Sequence, residues 1–185
     1  MTDQRTLEPA SGQFQAGVNI PGDKSLSHRA LVFAALADGE SEITGLAPGN
    51  DVASTLSALR SLGLQRDGDR FTPPNRPTDP KQSIDCGNSG TTMRLLAGSL
   101  SPLPFRVTLT GDASLSSRPM RRLVPPLAAL GADVSLSPNG TAPVTVGEAS
   151  RHGADVAIDV ASAQVRSACE LAAIHAGEEA SIDSP

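Results

Sequence analysis

Between residues 24 and 37, Leu26, Ala30, Phe33, Ala34 and Ala37 recur three or four positions apart, and Asp38-Gly39 ends the run. That spacing predicts a helix. Val18-Asn19-Ile20 alternates before it, and Ser41 to Thr44 follows it; both read as short strands. A second helix is predicted from Asp51 to Leu62, capped by Asn50 or Asp51 and ended by Gly63. Two short strands then turn about Gly68, near Leu64 to Asp67 and Arg70 to Thr72. The order is β-α-β-α-β-β.

The same order returns. Ser83 to Cys86 reads as a strand, Ser89 to Ser99 as a helix and Phe105 to Thr110 as a strand. A helix follows from Pro119 or Met120 to Leu130, then strands at Asp133 to Leu136 and Val144 to Val146. The phrases SALRSLG and PLAALG close on Gly63 and Gly131, roughly seventy residues apart, so the chain carries an internal repeat. A third pass has a strand at Ala154 to Val160, a helix at Ala163 to Ala176 and a strand at Ala180 to Asp183. By the repeat length, about 35 further residues are needed to finish it, so the third unit reads as incomplete. The class is α/β, of the α+β type, in units of about 17–80, 81–150 and 151–185.

Composition narrows the function. The net charge of −5 argues against a broad nucleic-acid footprint. The chain has no Trp, no Tyr and only four Phe, so it lacks platforms on which bases stack. No apolar run reaches the roughly 18 residues of a membrane span. MTDQRTLEPASGQ lacks the basic and apolar regions of a secretory signal, which makes a cytoplasmic location the default. Two cysteines and three scattered histidines match no metal-ligand spacing, so no metal is expected. Cys86 and Cys169 read as buried apolar side chains, His28 as lining or flanking a site, and His152 and His175 as surface residues.

The charges that remain are placed with a pattern. In PGDKSLSHR, Lys24, His28 and Arg29 crowd a helix start, where exposed N–H groups already carry partial positive charge. An anionic ligand would neutralise them. DCGNSGTTMR, Asp85 to Arg94, joins a strand to a helix. Gly87 and Gly90 admit close backbone approach, and the N–H groups of Ser89 to Thr92 are expected to point outward. It is neither GxxxxGK[ST] nor GxGxxG, and an ordinary capped turn is the plain alternative. GDASLSSRPMRRL brings Arg118 to the mouth of a helix starting at Pro119, where a guanidinium suits phosphate or carboxylate. Arg121 and Arg122 read as solvent-facing or salt-bridged. ASAQVRSA supplies Ser162 and Gln164 at a third helix start, with a simple cap by Ser162 as the plain alternative. Repetition gathers the three mouths at one end, which suits a ligand with several anionic groups.

In this order and spacing, PGDKSLSHR, DCGNSGTTMR, LTGDASLSSRPM and ASAQVRSA resemble the 3-phosphoshikimate 1-carboxyvinyltransferase (EPSP synthase) family, in its class II form, from about Gly12 to Pro185. The resemblance implies two domains, each of three β-α-β-α-β-β units around inward-facing helices, an inside-out barrel. Residues 1–16 would belong to the far domain, and 17–185 would be most of one domain beyond a hinge near Gly17 to Gly22. It implies transfer of the enolpyruvyl group of phosphoenolpyruvate to the 5-hydroxyl of shikimate 3-phosphate with release of phosphate. No cofactor is implied, and the complete enzyme is expected to be a monomer.

By the same resemblance Lys24 is catalytic and contacts both substrates. Ser25, Arg29, Ser162 and Ala163 would hold shikimate 3-phosphate. Asn88, Gly90, Thr91, Arg94 and Arg118 would hold phosphoenolpyruvate, and Gln164 would lie between the two. Ala163 stands where many members carry a second serine, which leaves its backbone N–H as the donor. The family's acidic proton-transfer groups match no position here, so the chain alone is expected to bind weakly without turnover. Gly90 implies a glyphosate-sensitive form. The alternatives are a stand-alone phosphometabolite-binding module, the sister transferase acting on UDP-N-acetylglucosamine, and an RNA-binding role. Ser25 after Lys24 disfavours the second, and the charge and missing aromatics disfavour the third.

Overall fold

The computed structural model describes Thr6, Pro9, Gly12 and residues 15–147, 152–174 and 179–185. Most of segment 1–16, and His175, lie outside the described residues. Three small sheets follow one another along the chain. The first has strands β1 (Ser41–Glu42), β2 (Gln65–Asp67) and β3 (Arg70–Thr72) in the order β1-β3-β2, all antiparallel. The second has β4 (Ile84–Asp85), β5 (Val107–Thr110), β6 (Asp133–Leu136) and β7 (Val144–Gly147) in the order β4-β5-β7-β6. Here β4 and β5 are parallel and the other pairs antiparallel. The third pairs β8 (Asp155–Ala157) with β9 (Ser181–Asp183) in parallel. A parallel pair followed by an antiparallel hairpin is complete only in the second sheet; the first shows the hairpin and the third the parallel pair.

The first unit departs from expectation. Val18 to Ile20 is not a strand: it makes no ladder, and Val18 and Ile20 are 76% and 86% exposed. A three-residue extended segment becomes a strand only by pairing, and no neighbour among the described residues offers it an edge.

Helix α1 (Lys24–Leu36) starts at Asp23, whose carboxylate accepts the Leu26 N–H at 2.7 Å. Its inward face is Ser27, His28, Leu31, Val32 and Ala34, while Leu26 and Phe33 are 68% and 51% exposed. The apolar spacing therefore marked the helix correctly but its face wrongly. Helix α2 (Asn50–Ser61) is capped by Gly49 without a side-chain bond, not by Asn50 or Asp51. Helix α3 (Gly90–Ser99) is capped by Ser89 and almost wholly buried; it packs on α1, on α2 and, most extensively, on α6 (Ala163–Ala173). A Cβ on Gly98 would lie 2.0 Å from the carbonyl oxygen of Ala168, so only glycine permits this crossing.

The single helix expected after Arg118 is two pieces. A 3-10 turn at Arg121–Leu123 leads into α5 (Val124–Ala129), which carries Pro125 and Pro126 at its start. Those prolines lack N–H donors and begin a helix better than they continue one. An unexpected one-turn helix, α4 (Ala113–Ser116), precedes them, capped by Asp112 on the Leu115 N–H at 2.8 Å. Among the described residues no helix is long and apolar enough to cross a membrane.

Candidate functional site

The starts of α1, α2, α3 and α6 meet around one polar region. Lys24 sits at the first residue of α1, and its ammonium pairs with the Asp51 carboxylate on α2. Asp51 was not expected from the sequence; its place in the first turn of a helix reads as ordinary dipole compensation. Ser25 is exposed beside Lys24, and its carbonyl accepts from Arg29 at 3.2 Å. Arg29 also donates to Ser167 Oγ on α6 at 2.8 Å, tying the first and third motifs together across the interior.

The second motif joins the third directly. Arg94 Nη1 donates to Gln164 Oε1 at 2.7 Å, and Gln164 Nε2 donates to Thr91 Oγ1 at 2.9 Å. Arg94 also reaches the Gly90 carbonyl at 3.2 Å. Its pKa is lowered by burial first, then by the guanidinium charges of Arg118 and Arg122. Arg118 donates to Asn88 Oδ1, and Asn88 Nδ2 donates to Asp112 at 2.7 Å. The Leu115 N–H and then the Asn88 amide hold the Asp112 carboxyl below its ordinary range. Gly90 lies between the two cations: a Cβ there would be 2.7 Å from Arg94 Nη1 and 3.4 Å from Arg118 Nη1.

Two details differ from the sequence reading. Arg118 follows the end of α4 and donates its N–H to the Leu115 carbonyl at 3.0 Å, so it does not sit at the mouth of the next helix. The Ser89 and Thr92 amides are bonded, to the Cys86 carbonyl at 3.0 Å and to Ser89 Oγ at 3.1 Å. The open donors of this mouth are thus Gly90 and Thr91. Ser162 caps α6 by accepting from the Val165 N–H at 3.4 Å, and Ala163 is the first helical residue. A cleft lined by Arg94, Met120, Arg122, Ser162 and Gln164 opens beside this contact, which gives Arg122 a place near the site that its position in the sequence did not indicate.

Cys86 and Cys169 are fully buried, and burial pushes both thiols up to about 12, so neither supplies a nucleophile. His152 is exposed. His28 is buried, not lining, and burial followed by the nearby Lys24 charge lowers its pKa.

Comparison with known proteins bears on the family and the fold. The family model described as EPSP synthase (3-phosphoshikimate 1-carboxyvinyltransferase) matches residues 9–184. A 3-phosphoshikimate 1-carboxyvinyltransferase of Acidithiobacillus ferrooxidans is 44% identical over 178 residues, covering 90% of this chain and 40% of the relative. One from Halorhodospira halophila is 45% identical over 184 residues, covering 94% and 41%. The solved EPSP synthase of Acinetobacter baumannii superposes with a TM-score of 0.84 at 39% identity, over 91% of this chain and 40% of that one. The chain thus spans about 40% of the length of the relatives it matches. With four ordered motifs, a shared fold and a match over nearly all its residues, the chain belongs to the EPSP synthase family.

Proposed function

We propose that this chain contributes the face built from Lys24, Asn88, Gly90, Thr91, Arg94, Arg118 and Gln164 to an active site that transfers the enolpyruvyl group from phosphoenolpyruvate to the 5-hydroxyl of shikimate 3-phosphate. The observation that carries the reading is the convergence of the Arg94 and Arg118 guanidiniums on Gly90 at the start of α3. Guanidiniums facing one another at a positive helix end call for a multiply charged anion between them. Phosphoenolpyruvate fits there. Ser25, Arg29, Ser162 and the Ala163 N–H then serve shikimate 3-phosphate from the starts of α1 and α6.

In this reaction the 5-hydroxyl oxygen, losing its proton to a base, adds to C2 of phosphoenolpyruvate while an acid protonates C3. The tetrahedral intermediate then loses inorganic phosphate from C2 and the proton from C3. Lys24 is placed to stabilise the charge that develops. The acid and base that move the protons belong to the remaining length of the enzyme. Residues 17–185 form most of one domain of three repeated units, the third incomplete, residues 1–16 belong to the other domain, and the complete enzyme is a cytoplasmic monomer.

The test is phosphate release from the two substrates, with this chain alone and with the remaining part of a family member added. Release only on complementation is expected. Enzyme-like turnover by the chain alone would show that the proton-transfer groups lie within it. Silence in both cases, with no binding of either substrate, would leave a binding module for another phosphorylated metabolite as the better reading.

A further inference from the structure

Beneath the open site lies a buried chain of side chains that the substrate contacts do not use. His28 is fully buried, and its Nδ1 lies 2.7 Å from Thr55 Oγ1 on α2. Thr55 Oγ1 lies 2.6 Å from Thr92 Oγ1 on α3, and Thr92 Oγ1 is 2.7 Å from Ser89 Oγ and 3.2 Å from the Asp51 carbonyl. Thr55, Thr92 and Ser89 are fully buried as well. Among the described residues His28 Nε2 has no hydrogen-bond partner.

The Asp51 carbonyl can only accept. Thr92 has one hydroxyl proton and two acceptors for it, the Asp51 carbonyl and Ser89 Oγ; whichever takes it, Thr92 Oγ1 receives the proton of Thr55. Thr55 Oγ1 is then left to accept, and His28 Nδ1–H is the group that donates to it. This order satisfies the Thr55 and Thr92 hydroxyls and leaves Nε2 as a bare acceptor. The opposite order would bury an unpaired N–H, the costlier defect.

Both ends of the chain reach the site. Asp51 grips Lys24 through its carboxylate, and Ser89 caps the helix on which Gly90 is the first residue. From this geometry we infer that His28 is a positioning residue: as a neutral ring donating from Nδ1, it orders the Thr55–Thr92–Ser89 hydroxyls and so fixes Asp51, Lys24 and the α3 mouth against one another. The inference rests on the proposed function, because Lys24 and the α3 mouth matter only as parts of that site. The charged groups that face His28 are Lys24 and Arg29 on its own helix and Asp51 on α2, while α3 presents the hydroxyls of Thr92 and Ser89. Burial and Lys24 both act to keep the ring neutral.

Two measurements test this. In the 185-residue chain, imidazole ¹⁵N spectra at pH 7 are expected to show His28 neutral and protonated at Nδ1. A ring protonated at Nε2, or at both nitrogens, overturns the inference whether or not any variant folds. Calorimetric titration with phosphoenolpyruvate should show Thr55→Val binding about tenfold or more weakly, the scale of loss when a reacting group is misplaced. Thr55→Ser, which keeps the hydroxyl, should recover the parent affinity. A folded Thr55→Val that binds as tightly as the parent defeats this inference alone. A parent chain that binds neither substrate and releases no phosphate on complementation defeats the proposed function and the inference with it.

Discussion

Adding one methyl group at Gly90 separates the site from the fold. The new Cβ would lie 2.7 Å from Arg94 Nη1, 3.7 Å from Arg94 Cζ and 3.4 Å from Arg118 Nη1. The first distance is too short for carbon against nitrogen, and the group that yields is the mobile end of a side chain, not backbone. Arg94 Nη1 is also the atom that donates to Gln164 at 2.7 Å, so moving it disturbs the contact between the second and third motifs. A hydrogen bond to a charged group is worth about 1.5–3 kcal/mol, so losing one to the ligand weakens binding about 10- to 150-fold. The helix itself gains, since alanine is favoured over glycine by up to about 1 kcal/mol. Gly90→Ala should therefore unfold at or above the parent temperature yet bind phosphoenolpyruvate at least tenfold more weakly by calorimetry. Shikimate 3-phosphate, held from α1 and α6, should lose less. In the complete enzyme the same substitution should lower sensitivity to glyphosate. A folded Gly90→Ala with parental affinity for phosphoenolpyruvate, or unchanged inhibition of the complete enzyme, would refute the steric argument.

Three further outcomes are expected. Gly98→Ala should destabilise the chain by at least the roughly 1–3 kcal/mol typical of overpacking, because its methyl meets the Ala168 backbone; a melting temperature equal to the parent's would contradict the close α3–α6 crossing. The lowered His28 pKa means the unfolded chain binds more protons as pH falls below the ring's ordinary 6.5, so stability should drop on acidification through that range. The His28 share of that slope should vanish in His28→Asn, and denaturant titrations at pH 7 and pH 5.5 would show an undiminished slope if the assignment were wrong. Arg118→Lys keeps the charge but loses the planar fork, so phosphoenolpyruvate binding should weaken while the melting temperature holds; equal affinity would show that Arg118 acts as a point charge only.

Most of the helices and the order of the motifs were legible in the sequence because each rests on a local signal. Asp23 and Ser89 cap helices through side chains three residues from the amides they bind, and Gly63 and Gly131 end helices with positive φ. The approach of the site residues from separate units followed from the repeat, since like units place like helix starts at one end. Other features depended on what lies opposite in space. Leu26 and Phe33 have the spacing of a core face, yet α1 buries Ser27 and His28 instead, because polar partners wait on α2 and behind Ala47. Val18 and Ile20 alternate as a strand but find no edge to join among the described residues. Nothing along the chain marks Asp51, Ser167 and Thr55 as the partners of Lys24, Arg29 and His28, from which they lie 27, 138 and 27 positions away. Periodicity and capping are properties of neighbours in sequence. Which face is buried, and which charges meet, is decided only when helices from different units pack and one side chain's donor becomes another's acceptor.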